Sequence, residues 1–156
     1  MQKARDKLAK AVINGVESGL YEGGFKGEKR HGQGTMYYSN SSIYIGGWAN
    51  GLKQGKGRYL TSKGEDYQGE WSVNFRHGWG SMKFENGDFY RGQWENGLMQ
   101  GRGIMERANG DIEDGQWNEN DFVAKERNDK FKKMKTKKSQ KSRKSQKNKS
   151  KKNFLN

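Results

Sequence analysis

The sequence predicts an all-β fold assembled from repeated two-stranded units, and three observations carry that reading. A 23-residue unit recurs without insertion, its first position falling at Tyr21, Tyr44, Tyr67, Tyr90 and Glu113. A strict period of this length marks a repeat architecture, in which each unit buries its apolar face only against its neighbours. Each unit opens with Tyr-x-Gly-x-aromatic, as in Tyr44, Gly46 and Trp48, and side chains two apart share one face of a strand. Units close on turn chemistry, most plainly Asn86-Gly87 and Asn109-Gly110. Asn-Gly is the dipeptide that most readily supplies the two positive-φ residues of a type I′ hairpin turn.

In chain order, residues 1–20 form an N-terminal segment. Its first part, 2–11 (QKARDKLAKA), holds good helix formers and predicts a short frayed helix. Val12 to Val16 reads as an edge strand or half-repeat, because Glu17-Ser18-Gly19 falls where each later unit has its turn. The repeat array occupies 21–120. After the opening strand comes a wider turn, then Gly-x-Gly-x-Met or Tyr, as in Gly55, Gly57, Tyr59 and Gly101, Gly103, Met105. Glycine weakens a strand interior; recurring beside aromatics, it reads as room for rings to lie flat over backbone. Leu52, Phe75 and Leu98, with Lys29 in the first copy, share one turn position and read as a rim stripe closing the sheet. The fifth copy, EDGQWNEN from Glu113, then dissolves, and Glu113, Asp114, Glu119 and Asp121 are placed to blunt an exposed edge. Residues 121–156 form a basic tail: a short amphipathic helix from Phe122 to Met134, then a stretch too charged to bury a core, expected to be disordered when free.

The repeated pattern resembles the MORN (membrane occupation and recognition nexus) repeat family. The resemblance rests on Tyr-x-Gly-x-Trp/Phe at Tyr21, Tyr44, Tyr67 and Tyr90, and on the pairs Gly32/Gly34, Gly55/Gly57, Gly78/Gly80 and Gly101/Gly103. A Gly also falls seven residues after the Tyr at Gly51 and Gly97, where the other copies have Glu28 and Asn74. The resemblance implies an elongated, single-layer antiparallel meander, open and curved like a half-pipe, that acts as a scaffold. It implies no substrate, since one fold serves many functions.

Composition divides the chain. Only 29% of residues are hydrophobic, which alone argues for disorder, but 12% are aromatic and fall in register, which argues against it for the array. Residues 21–120 carry 12 Lys/Arg against 13 Asp/Glu, whereas 121–156 carry 15 against 3, so nearly all of the +13 charge lies in the tail. Cysteine is absent, which excludes a disulfide framework and thiolate zinc. No stretch approaches 18 apolar residues, and Glu17 argues against a signal peptide. A cytoplasmic, cytoskeletal location is the expectation, with cilium or axoneme as its special case.

Catalysis finds no foothold, and no cofactor or metal is expected. His31 and His77 share a repeat position with Gln54 and Gln100 and read as polar turn residues rather than a metal pair. The Gly-x-Gly elements precede strands, whereas a phosphate cradle needs a helix to open there. Partner contact is assigned to Tyr44, Trp48, Tyr67, Trp71, Tyr90 and Trp94, the shared aromatic face. The resemblance implies that such a face also holds a partner's helix or extended segment. Trp79 joins them: it replaces Gln33, Lys56 and Arg102 between the glycines and should point away from the Tyr59/Met82/Met105 stripe. It reads either as a solitary exposed aromatic or as a contact anchor.

The tail has thirteen cations from Lys130 on: Lys132, Lys133, Lys135, Lys137, Lys138, Lys141, Arg143, Lys144, Lys147, Lys149, Lys151 and Lys152 follow it with no intervening acid. Three readings stand: a solubilising or import-like tail, an anchor to an acidic polymer (tubulin tails or RNA), and attraction to anionic lipid. Aromatics are sparse there, so base stacking is not expected. Two function classes follow: a non-enzymatic scaffold docking a protein partner and anchored to an acidic polymer, in a cytoskeletal or ciliary assembly, or a membrane-associated regulatory piece of phosphoinositide signalling. MORN-rich proteins recur in axonemes and membrane–cytoskeleton junctions, and similar repeats precede the kinase domain of some lipid kinases. Neither the kinase domain nor the methyltransferase domain of other members fits in the 36 residues after the array.

Overall fold

A computed structural model describes residues 9–13 and 18–125. They form one antiparallel sheet of eleven strands in sequence order: β1 (Ala9–Ile13), β2 (Gly19–Lys26), β3 (Lys29–Tyr38), β4 (Ile43–Ala49), β5 (Leu52–Leu60), β6 (Asp66–Ser72), β7 (Phe75–Lys83), β8 (Phe89–Glu95), β9 (Leu98–Glu106), β10 (Ile112–Asn118) and β11 (Asp121–Lys125). The sheet is open, since β1 pairs only with β2 and β11 only with β10. The predicted all-β meander is observed, and no helix occurs among the described residues.

A single-layer sheet needs a core inside its own face, and the two strand glycines of each hairpin make one. The Tyr67 ring lies across the cross-strand pair Gly69↔Gly80. A Cβ at Gly80 would fall 2.5 Å from the Tyr67 hydroxyl, and one at Gly69 would fall equally close. The hydroxyl donates to the Glu70 carbonyl at 2.9 Å, three residues on, so the ring is pinned at its far end. Tyr44 and Tyr90 repeat the seat and bond the Gly47 and Gln93 carbonyls, and Tyr21 bonds that of Gly24. Trp48, Trp71, Trp94 and Trp117 lie between these rings. Each indole N–H donates to a glycine carbonyl fourteen residues earlier: Trp48 to Gly34, Trp71 to Gly57, Trp94 to Gly80 and Trp117 to Gly103, at 3.1–3.3 Å.

Tyr44, Tyr67 and Tyr90 therefore each meet two tryptophans edge-on, their own and the next repeat's, and Tyr21 meets Trp48, with centroids 5.0–5.4 Å apart. The chain of rings starts at Phe25, which takes the Trp place in the first copy, and ends at Phe122. Such pairs contribute roughly 0.5–1.5 kcal/mol each beyond burial. Met36, Met82 and Met105, all at most 5% exposed, fill the spaces beside them.

Four expectations are corrected. Ala9–Ala11 belong to a strand rather than a helix, because Ala9–Ile13 pair with Gly19–Gly23; residues 2–8 and 14–17 lie outside the described residues. The fifth copy does not dissolve: β11 pairs with β10, Phe122 packs on Trp117, and Glu113 sits inside the sheet bonded to Arg107. Phe122–Lys125 are therefore strand, and the rest of the expected helix lies outside the described residues.

The turns are also exchanged. Phe84 N–H bonds the Asp88 carbonyl, leaving three residues in that loop, of which only Gly87 (φ 89°) is left-handed. The Asn86 side chain instead accepts from Asp88 N–H at 3.0 Å. The two-residue I′ turns are the ones taken as wide: Asn50-Gly51, Val73-Asn74, Asn96-Gly97 and Glu119-Asn120, all with positive φ. The matching strand residues are one pair closer together there than a wide loop allows, as in Ala49↔Leu52.

Two substitutions test this account by thermal unfolding. Gly80→Ala puts a methyl into the Tyr67 ring and should destabilise by about 1–3 kcal/mol or more. Val73 is a β-branched residue at φ 49° and 54% exposed; Val73→Asn should stabilise by about 1 kcal/mol by relieving the left-handed strain.

Candidate functional site

The two faces of the sheet differ in what they leave for a ligand. Tyr44, Trp48, Tyr67, Trp71, Tyr90 and Trp94 are 0–6% exposed, so the six aromatics assigned to partner contact are the sheet's own core. The physical reason is the glycine seat: rings that lie flat on backbone and interlock edge-to-face leave almost no free surface.

Cations close this core from above. Arg30, Lys53 and Arg76 recur at one repeat position. The Arg30 guanidinium sits 4.1 Å from the Trp48 ring centre and that of Arg76 4.5 Å from Trp94, both within cation–π range. Lys53 Nζ lies 5.2–5.6 Å from the rings of Tyr38, Tyr44, Tyr59 and Trp71. Arg30 and Arg76 also donate to the Gly51 and Gly97 carbonyls at the next hairpin tip, at 2.8 and 2.9 Å. Met99 and Phe122 take the same position in the last two copies. Sequence reasoning missed this set, although its 23-residue spacing was on view.

The opposite face is open, and Trp79 stands on it with 56% exposure. It pairs with Gln93 across the sheet, and the preceding glycine, Gly78, has φ 59°, a left-handed bulge residue. Glu70 accepts from Trp79 N–H at 3.4 Å, as Gln93 accepts from Arg102 N–H one repeat later at 2.8 Å. These two side chains cap bulges and form no acid–base pair. Trp79 walls three depressions: one of about 430 Å³ toward His77, Gln93 and Gln100, and two that adjoin at Gln68. Of these two, one, of about 470 Å³, runs past Ser81 and Arg91 to Arg102 and Ile104. The other, of about 490 Å³, runs past Gln68 and Glu70 to Arg58 and the half-exposed Ile45. Arg58 and Arg91 are tied to Asp66 and Glu106 at 2.6 and 2.9 Å, and Lys56 and Arg102 also line these depressions, so the surface mixes apolar, ion-paired and cationic side chains.

The MORN repeat family model matches residues 21–43, 44–65, 67–89 and 90–112. The chain belongs to the MORN-repeat family. Comparison with curated proteins finds no match. MORN repeats are generally protein- or membrane-binding repeats and a non-catalytic repeat type. In this MORN chain no group of three His, Cys, Asp or Glu able to hold a metal occurs among the described residues. Gln54 and Gln100 accept from Val73 and Glu119 N–H at 3.2 and 3.0 Å, tying neighbouring hairpin tips. The residues expected to bind a polyanion, within 130–152, lie outside the described residues.

Burial raises the hydroxyl pKa of the seated tyrosines: Tyr90 is pushed up to about 12, and Tyr44 and Tyr67 further. Tyr21 is raised by burial too, against the pull of Arg30. A raised folded-state pKa gives stability that is complete below pH 10, the unfolded tyrosine value, and lost as pH rises towards the folded value. The sheet should therefore lose stability steeply from about pH 10 upward, with tyrosinate absorbance appearing together with loss of the strand circular dichroism signal. Ionisation of these hydroxyls with the sheet intact is the contrary outcome.

Proposed function

We propose that this chain is a non-catalytic adaptor that docks a protein partner on the open face around Trp79 and is anchored to an acidic polymer by its C-terminal cations. Cytoskeletal or ciliary assembly is the setting this reading favours. The exposure of Trp79 between two apolar-floored depressions carries the docking half. Large aromatics are over-represented at interface hot spots, and the fold gives Trp79 no structural task that Gln33, Lys56 and Arg102 do not perform in other copies. The charge division carries the anchoring half. A second reading, attachment to an anionic or phosphoinositide-rich membrane as part of lipid signalling, rests on the same cations, each contributing about 1 kcal/mol near such a surface.

Sedimentation with microtubules and with anionic liposomes, on the full chain, a chain ending at residue 129 and Trp79→Ala, separates these readings. Truncation should weaken binding and remove most of its salt dependence, because counterion release and screening act on the tail. Trp79→Ala should weaken protein-partner binding by roughly tenfold or more, as at a hot spot, and leave the salt dependence unchanged. Equal salt signatures for the two variants would remove the division of labour. Liposome binding without microtubule binding would favour the second reading.

A further inference from the structure

The residues expected to close the sheet at its turns do not close it. Leu52, Phe75 and Leu98 are 36%, 53% and 37% exposed. Each is the first residue after a tight turn, paired with Ala49, Ser72 and Glu95 respectively. Lys29 and Asp121 hold the same place in the first and last hairpins, paired with Lys26 and Asn118. Both are exposed, and neither takes part in an ion pair among the described residues. Five equivalent positions along one long edge of the sheet thus read Lys, Leu, Phe, Leu, Asp. Val73, in the turn beside Phe75, adds a further apolar side chain at 54% exposure.

That order is self-complementary when reversed. Two hairpin strands separate successive positions, so the ridge rises by about 10 Å per repeat and spans roughly 38 Å. A two-fold axis at Phe75 sets Phe75 on its own copy, Leu52 on Leu98 of the other chain, and Lys29 on Asp121 of the other chain at both ends. An isologous contact requires this pairing of i with j and j with i. The first tip carries Lys26, Glu28 and Lys29 and the last carries Glu119 and Asp121, so the ends have opposite net charge. A parallel arrangement sets Lys29 on Lys29 and Asp121 on Asp121.

We propose that this ridge is a self-association surface, on which a second copy of the chain docks antiparallel. Its occupant is set by the order of the side chains: an apolar centre flanked by one cation and one anion fits its own reverse. The ridge is about one side chain wide, on the order of 400 Å² per copy, half the ~800 Å² per partner of a standard interface. The dimer is therefore weak and concentration-dependent. It leaves the Trp79 face free on both copies, so an adaptor built this way presents two docking faces, with the gain in avidity that linkage brings. The inference does not rest on the Trp79 reading, because neither residue set shares a member with the other.

Sedimentation velocity of the full chain over a concentration series, at moderate salt to screen the tails, tests it. The wild type should pass from monomer to dimer. Phe75→Asp should weaken association by roughly tenfold or more, as for a central apolar anchor. Lys29→Asp and Asp121→Lys, both at exposed sites, should each weaken it roughly several-fold by setting like charges together. The double variant Lys29→Asp/Asp121→Lys should restore association to near the wild-type level. Circular dichroism and unfolding midpoints check that each variant keeps the sheet. A monomer at every concentration overturns the proposal, as does a dimer indifferent to Phe75→Asp. Failure of the double variant to recover what the single reversals lose overturns the antiparallel register.

Discussion

The structure depends on one contact, a tyrosine ring laid over a cross-strand glycine pair and held by its own hydroxyl. Remove either glycine and the ring has nowhere to lie, since a Cβ there meets the tyrosine hydroxyl or ring at 2.2–2.7 Å. Remove the ring and the sheet has a bare patch of backbone on both strands. Its hydroxyl bonds a carbonyl at the bulge, where strand pairing is interrupted and backbone acceptors are in want of donors. The contact therefore serves as core, as hydrogen-bond partner and as the device that fixes register. A chain with 29% hydrophobic residues folds because its apolar area is concentrated in rings that interlock with the next repeat.

This economy limits how the sheet recognises anything. Rings used as core are lost as contact surface, and the cations above them are engaged with the rings and with hairpin-tip carbonyls. What remains variable between repeats is the bulge position between the glycines and the position after each tight turn. Trp79 and the ridge around Phe75 occupy those two places. A repeat fold with a recurring aromatic interior is thus individualised at positions that interior does not constrain.

Most of the fold was legible because the 23-residue period and the Tyr-x-Gly-x-Trp alternation are local and redundant. The errors cluster where one signal had two uses. Within the array Asn-Gly occurs at Asn50-Gly51, Asn86-Gly87, Asn96-Gly97 and Asn109-Gly110, but only spacing between paired strands distinguishes a two-residue I′ loop from a three-residue loop. Charges in the fifth copy looked like edge protection, although Phe122 continues the position of Arg30, Lys53, Arg76 and Met99 and still has a Trp to cover. Trp79 was legible as an outward residue by simple alternation. That the Tyr and Trp rings form the core was legible from the glycines beside them; that they leave no surface for a partner was not, because alternation places a side chain on a face without saying how completely that face is filled.

One further regularity has a period of two repeats rather than one. Where the next hairpin tip is Gly51 or Gly97, the preceding repeat supplies Arg30 or Arg76, whose guanidinium donates to the glycine carbonyl. Where the tip is Asn74 or Asn120, its side chain accepts from the backbone N–H of Lys53 or Met99, at 2.8 and 2.9 Å. The backbone bond between tips is the same in all four cases, from Gly51, Asn74, Gly97 and Asn120 N–H to the carbonyls of Arg30, Lys53, Arg76 and Met99. Arginine with glycine and asparagine without arginine are two solutions to one need, a second tie between successive tips. A side chain is required from one partner or the other, since glycine has none to offer. The substitutions at these positions are therefore coupled across 21 residues. Exchanging Asn74 or Asn120 for glycine without supplying an arginine leaves the backbone N–H of Lys53 or Met99 without its side-chain acceptor.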